Sequence, residues 1–143
     1  MEKNIVDQVF GEMEYKHRWV KRQQVQFFGK PSEVQIVAAA YTGQEICEEQ
    51  RKSYQYFQEN QEKILKVFSE KLQSYVDDNT KMISEYYDLK QGTESDKLVT
   101  PKTIYFDRDG KVVVLCDVKW DEENGLGVEV YPEIQIGRQD EFL

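Results

Sequence analysis

The side chains best suited to chemistry are the carboxylates Asp117, Asp121, Glu122, Glu123 and Asp140. Converging carboxylates can hold a hard cation such as Ca²⁺ or Mg²⁺ through oxygen. A small metal-dependent enzyme or metal-binding domain using this acidic loop is therefore the alternative to test. Their spacing does not match the calcium loop D-x-[DN]-x-[DN]-G with its distal Glu, and neither does Asp107-Arg-Asp109-Gly. The simpler reading, turn residues and solvated charge, is preferred. His17 is the only histidine. A zinc site or general base built on it would need partners from elsewhere in the fold. Between Tyr15 and Trp19 it reads as a half-buried strand residue. No nucleophile elbow, H-E-x-x-H or phosphate-binding loop occurs. Gly125-Leu-Gly127 precedes a strand, not a helix, so it carries no dinucleotide-binding weight. No catalytic, cofactor-binding or metal-ligating residue is assigned, and no cofactor is expected.

What remains is the stretch KWDEENGLGVEV, residues 119–130, with Trp120, Asp121, Glu123, Asn124, Gly125 and Gly127 as its candidate motif residues. It reads as a corner between two strands. Trp120 closes an apolar strand face. Asp121 suits an Asx-type turn. Asn124-Gly125 offers positive φ for the reversal, and Gly127 permits close backbone approach or a bulge.

The elements that must position this corner fall into three zones. Residues 1–41 read as strands: Ile5, Val6, Val9 and Phe10, then a turn at Gly11-Glu12. Tyr15, His17 and Trp19, with Val25 and Phe27 beyond, share one parity, as on one side of a long strand or a hairpin pair. Gly29 and Pro31 break the run, and Val34, Ile36, Ala38 and Ala40 alternate again. Residues 42–90 read as helix. Thr42-Gly-Gln-Glu45 matches a capping box. Tyr54, Phe57, Ile64, Leu65, Phe68, Leu72 and Tyr75 recur at helical spacing. Glu59–Lys63 and Glu62–Lys66 stand one turn apart. A single helix over 43–76 would be about 50 Å long, which favours a bend or break near 58–61. A short helix over 80–89 follows, with Asp77, Asp78 or Asn79 as its cap and Gly92 beyond its end. After a polar link over 90–101, strands return over 102–137. Asp109-Gly110 suggests a type I′ hairpin turn. Val112, Val114, Cys116, Val118 and Trp120 share a face, then Leu126, Val128 and Val130. Ile134 and Ile136 end the series. The expected fold is α+β: one domain over 1–143, with a mainly antiparallel, twisted sheet of about six or seven strands. A long helix and a short one pack on one face.

Bulk properties set further bounds. The chain has 143 residues and net charge −8. A chain of this length buries about 70% of its extended surface without metal or disulfide. Strong acidity disfavours nucleic acid and is compatible with a basic protein partner or with solubility alone. The tyrosines suit a core boundary or a protein interface. Cys47 and Cys116, far apart and in no metal-ligand spacing, read as two buried thiols in a reducing compartment. No apolar run has the length of a membrane span, and the first residues lack the apolar region of a signal peptide. A cytoplasmic protein with no membrane partner is expected. Self-association is a further alternative, and the sequence does not give the oligomeric state.

The segments VKWDEENGLGVEV (118–130) and QIGRQDEF (135–142) resemble the W-D-x-E-H-G-[LI]-G signature of a group of bacterial domains of unknown function. Some of these are encoded near polymorphic-toxin immunity genes. The stretch TGQEICEEQRKSYQYFQEN, with Gln50 and Tyr54, resembles that group's helix start, and the aromatic strand ending at Phe28-Gly29 matches too. The resemblance extends over nearly the whole chain. Asn124 stands where the signature has His, so no role of that His as ligand or base transfers here. The resemblance implies a small cytosolic α+β domain without an established activity. The expected function is a non-catalytic protein-interaction domain of an immunity-like kind.

Overall fold

The computed structural model describes residues 4–87 and 94–142. Two four-strand meanders flank a helical segment. The elements are β1 (Asn4–Asp7), β2 (Gly11–Tyr15), β3 (Trp19–Phe27), β4 (Lys30–Ala38), α1 (Glu48–Glu59), α2 (Gln61–Asp78) and α3 (Thr80–Ser84). After a 3₁₀ turn at Ser95–Lys97 come β5 (Val99–Phe106), β6 (Val112–Val118), β7 (Leu126–Tyr131) and β8 (Gln135–Gly137), then a 3₁₀ turn at Gln139–Phe142. The strands lie in one sheet in sequence order. Every neighbouring pair is antiparallel except β4–β5, which is parallel because the helices occupy that connection. The class is the expected α+β. The described residues give eight strands, close to the six or seven expected; the difference arises because Ile5–Phe10 and the Tyr15–Trp19 stretch each divide at a turn.

The helices cover one sheet face. Tyr54 and Phe57 of α1, Ile64, Leu65, Phe68, Leu72 and Val76 of α2, and Ile83 of α3 pack in one cluster with Ile36, Ile104, Phe106, Val112 and Val114. Full burial of each large side chain contributes about 1.5–3 kcal/mol, so this stripe dominates the stability. The long helix breaks at Asn60, inside the expected window. The Asn60 side chain donates back to the Tyr56 carbonyl, and its own carbonyl receives the Ile64 N–H.

Several local expectations are corrected. α1 starts at Glu48, not after Thr42. Its capping pair is Cys47 and Gln50, with the Cys47 N–H donating to Gln50 Oε1 at 3.0 Å. Residues 42–43 form a turn instead, because Gln44 is drawn into bonds with Tyr41. The Glu59–Lys63 and Glu62–Lys66 spacings give no ion pair among the described residues. Asn79 does not cap α3 through its side chain, which donates to Tyr75 O and closes α2. α3 stops at Ser84; residues 88–93, with the rest of the expected short helix and Gly92, lie outside the described residues. The turn after β1 occupies 8–10 rather than Gly11-Glu12, because the Asp7 carboxylate takes the Val9 and Phe10 N–H groups and curls the chain there.

His17 is not a half-buried strand residue. It sits exposed at the β2–β3 turn with φ 67°, while Tyr15 and Trp19 pair across the ladder with rings 5.1 Å apart. Tyr15 and Trp19 therefore share a face as a hairpin pair. The type I′ geometry belongs to Phe28-Gly29, both at positive φ between the paired Phe27 and Lys30. In the 107–110 turn only Gly110 is left-handed, since Asp107 Oδ1 accepts from both Asp109 and Lys111 N–H and shapes a wider loop. Pro31 lies within β4, opposite Gln26, rather than ending a run. The final strand excludes Ile134, which is exposed.

Candidate functional site at the tryptophan corner

The corner residues come together as one unit. Asp121 Oδ1 accepts from the Asn124 N–H at 3.2 Å and from Asn124 Nδ2 at 3.1 Å. The Gly125 N–H donates to the Asp121 carbonyl at 3.0 Å. Of the Asn-Gly pair, only Gly125 has positive φ (65°); Asn124 contributes its amide rather than a left-handed backbone. A Cβ at Gly125 would stand 2.6 Å from Gln139 Oε1 and 2.7 Å from the Cys116 carbonyl. A Cβ at Gly127 would strike the Phe142 ring, and one at Gly137 would strike the Glu141 carboxylate. Gly127 and Gly137 are paired across β7 and β8. Together they leave a notch in the face away from the helices, and Phe142 fills it. The two sequence segments carrying the resemblance are thus parts of one clasp.

On the helix side the corner opens into a cleft of about 440 Å³. Trp120 is nearly buried and forms its floor, with the Tyr75 ring of α2 stacked at 6.5 Å and 28°. Met82, Tyr86 and Arg138 complete the walls, and Asp121, Asn124 and Gly125 line the rim. Tyr86 is 70% exposed. Burial pushes the Tyr75 phenol up, and the Glu141 carboxylate adds to the effect. Arg138 holds Asp140 in a two-point pair, at 3.2 Å from Nε and 2.8 Å from Nη2. That bond and charge raise the guanidinium further.

The chemical candidates disperse. Asp140 is taken by Arg138 and Asp121 by Asn124, while Asp117, Glu122 and Glu123 are exposed. Asp117 and Glu122 share a shallow hollow with Lys102 and Lys119, away from Asp140. No group of three or more His, Cys, Asp or Glu stands where it could hold a metal ion among the described residues. Both cysteines are free. Cys116 is buried, and desolvation first, with the Asp117 charge second, pushes its thiol far above the usual range. Such a thiol is inert. Cys47 is only partly buried, against the expectation, because its place at the start of α1 leaves it near the surface.

Sequence reasoning placed Trp120 and its turn correctly in the chain but missed Met82, Tyr86 and Arg138 as their neighbours. Tyr75 was visible only as a position on the apolar helix stripe. Nothing in local spacing brings the end of α2 to the corner; only the packing does.

A larger cleft of about 600 Å³ lies between the start of α1 and strands β1–β3, with Asp7, Tyr15, Trp19 and Arg51 in its walls. Its ion pair is committed to structure. Arg51 Nε meets Asp7 Oδ1 at 2.9 Å, while Asp7 Oδ2 holds the β1–β2 turn. Burial pushes the Asp7 carboxyl up. The N–H bonds from Phe10 and Val9, with Arg51, outweigh that and hold it below its usual value. Beside it, Lys21 donates to the Phe10 carbonyl and to Tyr54 Oη at 2.7 Å. Burial lowers the Lys21 amine and pushes the Tyr54 phenol up to about 12.

Among the described residues no helix is long and apolar enough to cross a membrane. Neither curated proteins nor solved structures give a match to the chain. A family model described as a domain of unknown function, DUF6985, matches residues 9–143, which include the corner, its cleft and the C-terminal clasp, and the chain belongs to that family.

Proposed function

We propose that the chain is a non-catalytic protein-interaction domain of an immunity-like kind, acting in the bacterial cytoplasm, and that its partner presents a basic surface to the Trp120 corner. The observation that carries this reading is the pairing of an open aromatic cleft with acidic surroundings. Residues 117–142 hold eight carboxylates and two cations, so this segment carries −6 of the chain's net −8, and Asp121 stands on the rim of the cleft. Tyrosine and tryptophan supply contact area at low entropic cost, and charge complementarity steers encounter and rejects wrong partners. The resemblance of the corner to the signature of a group of bacterial domains, some of them encoded near toxin-immunity genes, points the same way.

The test is co-expression with the product of the adjacent gene. The intact chain is expected to relieve growth arrest and to co-purify with that product. Tyr86→Ala combined with Glu122→Lys and Glu123→Lys should lose both effects with an unchanged melting temperature. Retention of binding by this folded variant would remove the corner from the interface. Titration with Ca²⁺, Mg²⁺, Mn²⁺ and Zn²⁺ separates the metal-dependent alternative, since a cation bound only by the native state raises the melting temperature. No shift is expected.

A further inference from the structure

Two arginines, Arg18 and Arg108, line a cleft at the opposite end of the sheet. A cleft of about 410 Å³ lies at the C-terminal ends of β4 and β5, the one parallel pair among the described strands. Its walls include His17, Arg18, Tyr41, Tyr105, Asp107 and Arg108.

Several features mark it. Arg108 is fixed in place, with Nη1 donating to the Ala39 and Glu45 carbonyls, both at 3.1 Å. Those carbonyls satisfy part of its fork and leave its charge without a carboxylate. Neither Arg18 nor Arg108 has an ion-pair partner among the described residues. The lining carboxylate, Asp107, has Oδ1 already committed to two backbone N–H groups of its own turn. Finally, His17 is held in the left-handed region, which is uncommon for a residue with a Cβ and costs of order 1–3 kcal/mol. That conformation places the imidazole and Arg18 together at the mouth of the cleft. Tyr41, 81% exposed, and Tyr105 add two phenols as hydrogen-bond donors and flat apolar surface.

We propose that this cleft binds a small organic anion, a phosphate monoester or carboxylate on a planar body, with Arg18 and Arg108 on the anionic group and the tyrosines against the ring. Guanidinium forks suit both oxyanions. The net charge of −8 opposes an anion at long range, but physiological salt screens it beyond about 8 Å, so the local pair decides.

His17 is the only histidine, so its ring resonances in a proton NMR spectrum are assigned without mutagenesis. Phenyl phosphate and benzoate, titrated at constant pH and ionic strength, should move them saturably. Inorganic phosphate should act more weakly, and sodium chloride should have no saturable effect. Arg18→Gln should weaken binding about tenfold at an unchanged melting temperature. Arg108→Gln should weaken it as well, with some loss of stability. No saturation by phenyl phosphate or benzoate up to about 10 mM, the range of a very weak ligand, would overturn the proposal. So would equal movement by chloride, or undiminished binding by Arg18→Gln.

Discussion

The two ends of the sheet are built by different means. At the β4–β5 end the joints are polar. Gln50 is fully buried in α1 and accepts from the Cys47 N–H at 3.0 Å while donating to the Ala39 and Phe106 carbonyls at 2.8 and 3.1 Å. Arg108 adds two more bonds to carbonyls. At the β6–β7 end the joints are steric. Trp120 stacks on Tyr75, and Phe142 lies where the absent side chains of Gly127 and Gly137 leave room. The helix that returns the chain for a parallel pairing leaves strand-end carbonyls to be satisfied, and a buried amide satisfies two of them. A tight antiparallel corner satisfies its own backbone and needs only shape. The charged groups differ as well: Arg18 and Arg108 have no ion-pair partner among the described residues at the first end, while Asp121 and Glu122 stand at the second.

The polar end should be the more sensitive to a single substitution. Gln50→Leu should cost about 2–3 kcal/mol in urea unfolding, because it leaves the partly buried Cys47 N–H unpartnered and takes one bond from each of two carbonyls. Exchange of the Cys47 and Ala39 amides should rise more than that of the β7 amides. Equal loosening of both ends would mean that the two joints are not separable. At the steric end, Gly127→Ala should cost about 1–3 kcal/mol through overpacking against Phe142. Phe142→Ala should reverse most of that cost in the double variant, and strict additivity would contradict direct contact.

The smallest effect belongs to the Asp7–Arg51 joint between the two ends. The Asp7 carboxyl is lowered in the folded state from its usual value of 3.8. Its contribution is therefore complete above the unfolded value and lost as pH falls below about 4 towards the lowered folded value. Asp7→Asn should flatten the acid limb of the stability profile below pH 4 and leave its slope near neutrality alone. An unchanged acid limb would mean that the pair contributes no pH-linked stability.

Periodicity carried much of the architecture. The apolar spacing from Tyr54 to Tyr75 describes the face that α1 and α2 turn to the core, and Val112, Val114, Cys116 and Val118 join the same cluster, although Val113 and Leu115 of β6 are buried too. The break at Asn60 was legible because so long a helix does not fit so small a domain. Turn details were less legible. Asp-Gly at 109–110 and the capping motif at Thr42 are sound local signals, yet Asp107, Gln44 and Gln50 found better hydrogen-bond partners nearby. His17 looked like a strand residue because two-residue parity continues across a tight hairpin as if the strand were unbroken.

By itself, then, the sequence determined the class of fold, the helical stripe and the place of the Trp120 corner, because these depend on neighbours one to four positions away. The tertiary structure alone decided that Tyr75, Tyr86 and Arg138 meet at that corner, that Phe142 fills the glycine notch, and that Arg18 and Arg108 share a cleft. Most of those contacts join residues well beyond a helical turn or a hairpin of one another, and sheet register and helix packing set them rather than any local preference of the chain.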